Sequence, residues 1–258
     1  MVPAKSMGFD ILHEDSACLV VAKPPGLLTQ APLGIDSLEF RIKQFLKDRD
    51  SKPGGVYLGV PHRLDRPVSG VIVFAKNVRA ARRISEQFEG RLVEKRYWAL
   101  VEGAVQPEAG TWTDQLKKID GEPRSIVVDH TDPEGKLAIL HYQVVERAAG
   151  RTLLEINLET GRTHQIRVQA ASRGHPLLGD ELYGSTGPFG PWHADERQRL
   201  IALHARSLKF RLPTTREYIT CLAPLPELWG TEVVIHAAGE RYEHREHCRD
   251  DRPGADPR

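Results

Sequence analysis

Sulfur is scarce in this chain: three cysteines and two methionines in 258 residues. Cys18, Cys221 and Cys248 are odd in number and far apart, so they compose neither a disulfide framework nor a zinc-ligand spacing. A reduced, cytoplasmic protein is the expectation. No apolar run approaches the roughly 18 residues of a membrane span. The opening MVPAKSMGFDILHED has no continuous apolar core and does not read as a secretory signal. An excess of one charge is missing too: 36 Lys and Arg face 35 Asp and Glu, for a net +1 with neutral histidines. That balance excludes a surface that coats nucleic acid everywhere and leaves room for one basic groove. Neither G-x-G-x-x-G nor G-x-x-x-x-G-K-[ST] occurs, so dinucleotide and P-loop sites lack their phosphate cradle. H-E-x-x-H and G-x-S-x-G are absent as well, against a zinc peptidase and a serine hydrolase.

What is present describes one folded body. Hydrophobic residues make up 40% and charged residues 28%, as in soluble globular domains, and 22 glycines with 18 prolines punctuate the chain. CLVVAKP (18–24) reads as a strand stopped by Pro24, Pro25 and Gly26. DSLEFRIKQFLKD reads as a helix with Asp36 as N-cap, Glu39 completing a capping box, and Leu38, Ile42, Phe45 and Leu46 as its apolar face. VIVFAK (71–76) is a continuous apolar strand expected to be covered on both faces. Asn77 caps the helix VRAARRISEQFE and Gly90 closes it; Val78, Ala81, Ile84, Ser85 and Phe88 are expected inward, Arg79, Arg82 and Arg83 outward. KRYWALVEG (95–103) is a strand, Val105 to Arg124 a loop-rich stretch, and SIVVD another strand. KLAILHYQVVE and RTLLEINLET form an antiparallel pair, and THQIRVQAASRG a helix with Thr163 as N-cap. LIALHARSLKF and EYITCLAP restore strands, and beyond Trp229 a polar tail is expected to be loose. Without a βαβ rhythm, these elements describe an α+β or mixed α/β body.

Three segments carry the candidate chemistry. GVPHRLDRPVSG (59–70) places Asp65 among Arg63, Arg66 and His62, between the restricting Pro61 and Pro67 and the permissive Gly70. Asp65 there serves its basic neighbours, holds a metal or reacts. A metal would recruit His62 and Asp65 with His164 or His175, but no recognised ligand motif accompanies them. Ser69 with His164 lacks a nucleophile elbow. EKRYWALVEG brings Lys95, Arg96 and Tyr97 to the start of a strand. LETGRTHQIRVQ sets Arg162, His164, Gln165 and Arg167 around a strand-to-helix junction, where exposed backbone N–H groups suit anions. A cation near a helix start is easier to keep if a carboxylate neutralises it, and Asp65 is the partner proposed for Arg167.

In their order, HRLDRPVSGVIVFAKN, EKRYWALVEG and LETGRTHQIRVQAASRGHPLLGDELYG resemble the three active-site segments of the RluA-type RNA pseudouridine synthases, and the likeness spans residues 9 to 228. The resemblance implies a catalytic body with a mixed, largely antiparallel central sheet flanked by helices and loops. It implies isomerisation of uridine in structured RNA, without metal or organic cofactor. Asp65 matches the catalytic aspartate, Tyr97 the ring that packs on the base and takes part in the later proton chemistry, and Arg167 the basic partner of the aspartate. The aspartate either attacks the ribose or removes its 2′ hydrogen. His62, Arg63, Arg66, Lys95, Arg162, His164 and Gln165 become the candidate RNA contacts. Only about eight residues precede FDILHED, so no separate S4-like reader is expected. Residues 229–258 would form an extension. The expected partner is transfer or ribosomal RNA, with transfer RNA favoured for a small monomeric body. A noncatalytic RNA-binding protein on the same body would be marked by loss of Asp65, Tyr97 or Arg167, and all three are present.

Overall fold

The computed structural model describes residues 7–232 and 248–250. Along the chain run β1 (Asp10–Glu14), β2 (Cys18–Lys23), α1 (Leu38–Arg49), β3 (Ser69–Ala75), α2 (Val78–Glu89), β4 (Glu94–Glu102) and β5 (Ala109–Lys118). Then come β6 (Ser125–Val128), β7 (Lys136–Ala148), β8 (Arg151–Leu158), α3 (Gln165–Ala171), β9 (Leu203–Arg211), β10 (Tyr218–Leu222), α4 (Glu227–Glu232) and β11 (Cys248–Asp250). The strands form one sheet in the order β1-β2-β3-β9-β4-β8-β7-β5-β6, with β10 branching from β9 and β11 from β10. Every described pairing is antiparallel except β3 with β9, a short parallel contact of Ser69 with His204 and Gly70 with Ala205. The mixed, largely antiparallel sheet is therefore the one expected.

All seven residues of β3 are buried, as its unbroken apolar sequence requires. Val71 to Ala75 join a core with Leu19 of β2, Ile42 and Leu46 of α1, Ile84 of α2 and Phe210 of β9. A second cluster of Trp98, Leu100, Leu153, Leu178, Phe189 and Trp229 packs β4 and β8 against the later loops and α4.

Several local expectations shift. Ser37, not Asp36, caps α1 by accepting from Phe40 N at 3.2 Å, and Asp36 instead binds Arg41. The N–H groups of Leu38 and Glu39 donate to the carbonyls of Leu28 and Thr29, so the helix start is stitched to the segment after β2. Asn77 caps α2 as expected, accepting from Ala80 N. Ile84 is buried and Ala81 and Phe88 pack against the core as expected, but Ala80 and Gln87 are the other buried residues and Val78 is exposed. Gln87 is tolerated inside because its carboxamide bonds both the N–H and the carbonyl of Arg211 on β9. Arg83 does not point freely outward, since it donates to the Pro213 carbonyl. Gly90 keeps φ at −76°, and the left-handed residue after the helix is Arg91.

The stretch Val105–Arg124 is not simply loop. It contains β5, which pairs with β7 over eight residues and buries Trp112 and Leu116. Its few apolar residues hide among Thr, Asp, Gln and Lys, and its neighbours supply what its own propensity lacks. His164, not Thr163, occupies the α3 cap position, in a left-handed conformation with φ 55° and no side-chain cap bond. Three residues of the supposedly loose tail pair with β10 as β11, and the rest of that expectation, for 233–247 and 251–258, lies outside the described residues.

Candidate active site

The Asp65 segment is fixed at both ends. Val68 N donates to the Asp65 carbonyl at 3.1 Å, closing a turn that feeds directly into β3. At Gly70 the chain passes so close to β9 that a Cβ would stand 2.2 Å from the Ala205 carbonyl oxygen, and φ is +121°. Only glycine fits both constraints. Beneath the turn lies Lys23, the last residue of β2 and only 1% exposed. Its Nζ donates to the carbonyls of Pro24 at 3.0 Å, Arg66 at 3.1 Å and Val68 at 2.6 Å. Burial pulls the Lys23 pKa down to about 7, against the opposing pull of the Asp65 charge. A further brace comes from Thr29, whose Oγ donates to the Leu64 carbonyl at 2.8 Å.

Tyr97 reaches the site from the other side of β9. Ala205 pairs with Gly70 of β3 and also with Tyr97 of β4, so the aspartate turn and the tyrosine flank a single strand. The β4–β9 register slips between Arg96 and Tyr97, a bulge that redirects side chains beside the site. Burial raises the Tyr97 pKa and the Asp65 charge adds to the rise, which keeps the phenol protonated at neutral pH.

The third contribution comes from the β8–α3 junction and the turn that follows. Arg167 is 5% exposed and forms a two-pronged pair with the buried Asp180, Nε to Oδ2 at 2.6 Å and Nη2 to Oδ1 at 2.7 Å. The expected partner, Asp65, stands 3.6 Å from Nη1 and is secondary. Burial opposes the Arg167 charge, but the bond to Asp180 and the carboxylates of Asp180 and Asp65 together raise its pKa. Its Nη1 also lies 3.1 Å from His164 Nε2. Since a guanidinium only donates, that imidazole nitrogen accepts, and Nδ1 carries the proton toward Tyr183 Oη at 3.0 Å. His164 is thus neutral, in keeping with a pKa lowered by burial despite Asp65. Its 3.5 Å approach to Asp65 is no ion pair in this state. Tyr183 Oη also accepts from Ser125 N, tying the start of β6 to the site.

Asp65, Tyr97, Arg162, His164, Gln165 and Arg167 all line one cavity of about 200 Å³. A hollow of about 680 Å³ shares Arg63, Asp65, His164 and Arg167 with it and adds Arg66, Arg197 and Arg199. A third, of about 450 Å³, joins Tyr97 and Arg162 to His62, Arg63, Arg91 and Lys95. The Lys95 pKa is drawn down to about 8 by burial and then by Arg91. Besides His164, three candidate RNA contacts are already engaged within the protein: Arg162, whose Nε donates to the Leu137 carbonyl at 2.9 Å, His62 and Gln165. The His62 ring stacks on Phe88 and its Nε2 accepts from Val73 N. The Gln165 carboxamide accepts from Thr160 Oγ and Arg162 N and donates to the Ile139 carbonyl. Ser69 Oγ bonds His204, not His164.

Sequence reading missed Lys23, Asp180 and Tyr183. A lysine closing an apolar strand just before PPG, and the GD and Y of GDELYG, were the available signals. It also missed that His13, Asp15 and Cys18 bring potential ligand atoms within 4.8 Å of one another at the β1–β2 turn. Asp15 already uses one oxygen on the N–H groups of Ala17 and Cys18 and the other on Thr214.

The family of RNA pseudouridylate synthases matches residues 17–172 of this chain. An RNA pseudouridine synthase of Chlorobaculum parvum is 39% identical over 232 residues, covering 84% of this chain and 71% of the relative. The ribosomal large subunit pseudouridine synthase D of Xanthomonas campestris is 37% identical over 225 residues, covering 84% and 66%. Among solved structures, human RNA pseudouridylate synthase domain containing 4 superposes with a TM-score of 0.71 at 26% identity, over 88% of this chain and 92% of that one. With the family match across more than half its length, and an aspartate, a tyrosine and an arginine gathered around one cavity, this chain belongs to the RNA pseudouridylate synthases and isomerises uridine in structured RNA.

Proposed function

We propose that this synthase acts on large-subunit ribosomal RNA, as a monomer in the cytoplasm, with Asp65 as the reacting group. One contrast carries the choice of Asp65. Asp180 is 1% exposed and bound at both oxygens by Arg167, whereas the Asp65 side chain is 30% exposed, with the neutral His164 ring at 3.5 Å and the Arg167 guanidinium at 3.6 Å. Asp65 is the carboxylate left open to a substrate. Arg167 keeps positive charge beside it without closing over it, because Asp180 fixes the guanidinium from behind.

Isomerisation breaks the bond from base N1 to ribose C1′ and forms one from C5 to C1′; N1 gains a proton and C5 loses one. Asp65 opens this sequence either by attack on the ribose or by removing the 2′ hydrogen. Tyr97 offers its ring to the detached base while its hydroxyl stays protonated. The target base leaves its stack to enter a cavity of about 200 Å³. Arg63, Arg66, Lys95 and Arg162 hold the flanking phosphates, which gives affinity without choosing the uridine. Ribosomal RNA is preferred over transfer RNA because the Xanthomonas relative, at 37% identity, bears the large-subunit name.

The test presents purified protein with unmodified large-subunit ribosomal RNA and, separately, unfractionated transfer RNA transcripts, and maps pseudouridine in each. Product is expected in the ribosomal RNA, and Asp65→Asn should lower single-turnover product below detection while the melting temperature holds. Modification of transfer RNA alone would replace the substrate. A folded Asp65→Asn protein with near-normal turnover would sink the role of the aspartate.

A further inference from the structure

Trp192 is exposed where tryptophan gains the fold nothing. Trp98, Trp112 and Trp229 are 6% exposed or less, and Trp192 is 73% exposed. It lies between the Asp180 turn and β9, in a stretch whose neighbours Pro191, Ala194 and Asp195 are also exposed. It is nevertheless not adrift. The Arg199 guanidinium sits 5.8 Å from its ring centre. Arg199 is held in turn by the His193 carbonyl at 3.0 Å and by the Glu181 carboxylate. Glu181 adjoins Asp180, which clasps Arg167 beside Asp65. A short chain of fixed contacts thus links the indole to the reacting centre. Arg197 and Arg199 line the same 680 Å³ hollow as Asp65 and Arg63, and the indole packs against Arg199 just outside that lining.

We propose that Trp192 is a stacking platform for a base flanking the target uridine, with exposed Arg197 on the adjoining phosphate. The inference rests on the RNA-modifying activity and names a residue that chooses and holds the strand around the site. A nucleobase is the occupant favoured here because the hollow beside the indole is continuous with the uridine cavity and carries arginines. A protein partner would call for a broader apolar patch. Extruding the uridine also unstacks its neighbour, and an indole on a firm mount replaces that lost contact. Base–aromatic stacking of this kind corresponds to about a 5- to 150-fold change in affinity on truncation to alanine.

The experiment compares full-length wild type, Trp192→Ala and Trp192→Phe on whichever unmodified transcript, ribosomal or transfer RNA, the wild type modifies. Trp192→Ala is expected to raise KM and Kd within that range, with the loss falling in KM rather than in the saturated single-turnover rate, and Trp192→Phe should recover most of it. Because the other three tryptophans are buried, RNA should quench the accessible indole emission of wild type and leave that of Trp192→Phe nearly unchanged. Unaltered KM and Kd in Trp192→Ala, or equal quenching in wild type and Trp192→Phe, would overturn the platform while leaving the synthase intact. A lowered melting temperature with a matching fall in the saturated rate would make Trp192 structural and also overturn it. Wild type that forms no pseudouridine on either RNA would remove the activity on which the inference stands.

Discussion

Arg167 sits between two carboxylates and treats them differently. It donates twice to buried Asp180 and approaches Asp65 only at 3.6 Å. Removing the Asp180 charge leaves a buried guanidinium with a neutral imidazole and a single carboxylate at 3.6 Å, a change that costs roughly 3 kcal/mol or more. Asp180→Asn should therefore lower unfolding free energy by that amount in denaturant titrations. It should also reduce single-turnover activity beyond the unfolded fraction, because the freed arginine turns to Asp65 and occupies it. Equal stability in wild type and variant would show that Asp180 is no anchor. Arg167→Lys should not substitute, since an ammonium lacks the planar fork that spans Asp180. The sequence made Asp65, Tyr97 and Arg167 legible through their segments. It could not disclose which carboxylate Arg167 holds, because Arg167 and Asp180 are joined only by the way the turn after α3 folds back. Lys23 was illegible for a related reason: three carbonyls from two separate segments converge on it only after β2 and β3 have paired.

At the level of elements, the junction of β3 with β9 decides where the site forms. Two residues make this parallel contact, and one is Gly70. Gly70→Ala places a methyl group 2.2 Å from the Ala205 carbonyl at φ +121°, and Ala205 also pairs with Tyr97. The strand must shift, and with it both the aspartate turn and the tyrosine. A loss of about 3 kcal/mol or more is expected, with activity falling further than stability alone explains. Gly34 supplies the control. Its φ is +89° with nothing within 4 Å of an added Cβ, so Gly34→Ala should cost only about 1 kcal/mol. Similar melting temperatures for the two variants would discard the close-approach argument. Strongly patterned elements such as β3 and the β7–β8 pair were readable because their burial follows from their own residues. β5 was not, because its place depends on β7 beside it. The caps of α1 and α3 were each misread by one residue: at α1 Asp36 turns to Arg41 and leaves Phe40 N to Ser37, and at α3 the left-handed His164 takes the cap position with no side-chain bond.

Across the whole molecule, β3 is gripped by two histidines that must remain neutral, His62 half-buried and His204 buried. His62 Nε2 accepts from Val73 N, so the acceptor nitrogen is unprotonated. His204 accepts from Ser69 Oγ through Nδ1 and faces the Ala223 carbonyl through Nε2, again the neutral arrangement. Burial drives both pKa values down to about 3, with Lys95 adding to the effect at His62 and Arg206 at His204. An unfolded histidine titrates near pH 6.5. Between about pH 6.5 and pH 3 the unfolded chain therefore binds protons that the folded one refuses, so stability is present above this window and lost as pH falls through it. Each histidine contributes a slope of about 1.4 kcal/mol per pH unit in the window. Denaturant titrations in steps from pH 7 to pH 3.5 should show this loss in wild type and a visibly flatter profile in His62→Gln/His204→Gln. Carboxylates such as Glu14 and Asp15, whose pKa values are lowered, steepen the acid limb in both proteins and cancel in the comparison. Identical slopes would mean that the histidines do not titrate differently on unfolding. If the slopes differ as expected, acid loosens β3 first, and the Asp65 turn that β3 anchors should lose activity before global unfolding is complete.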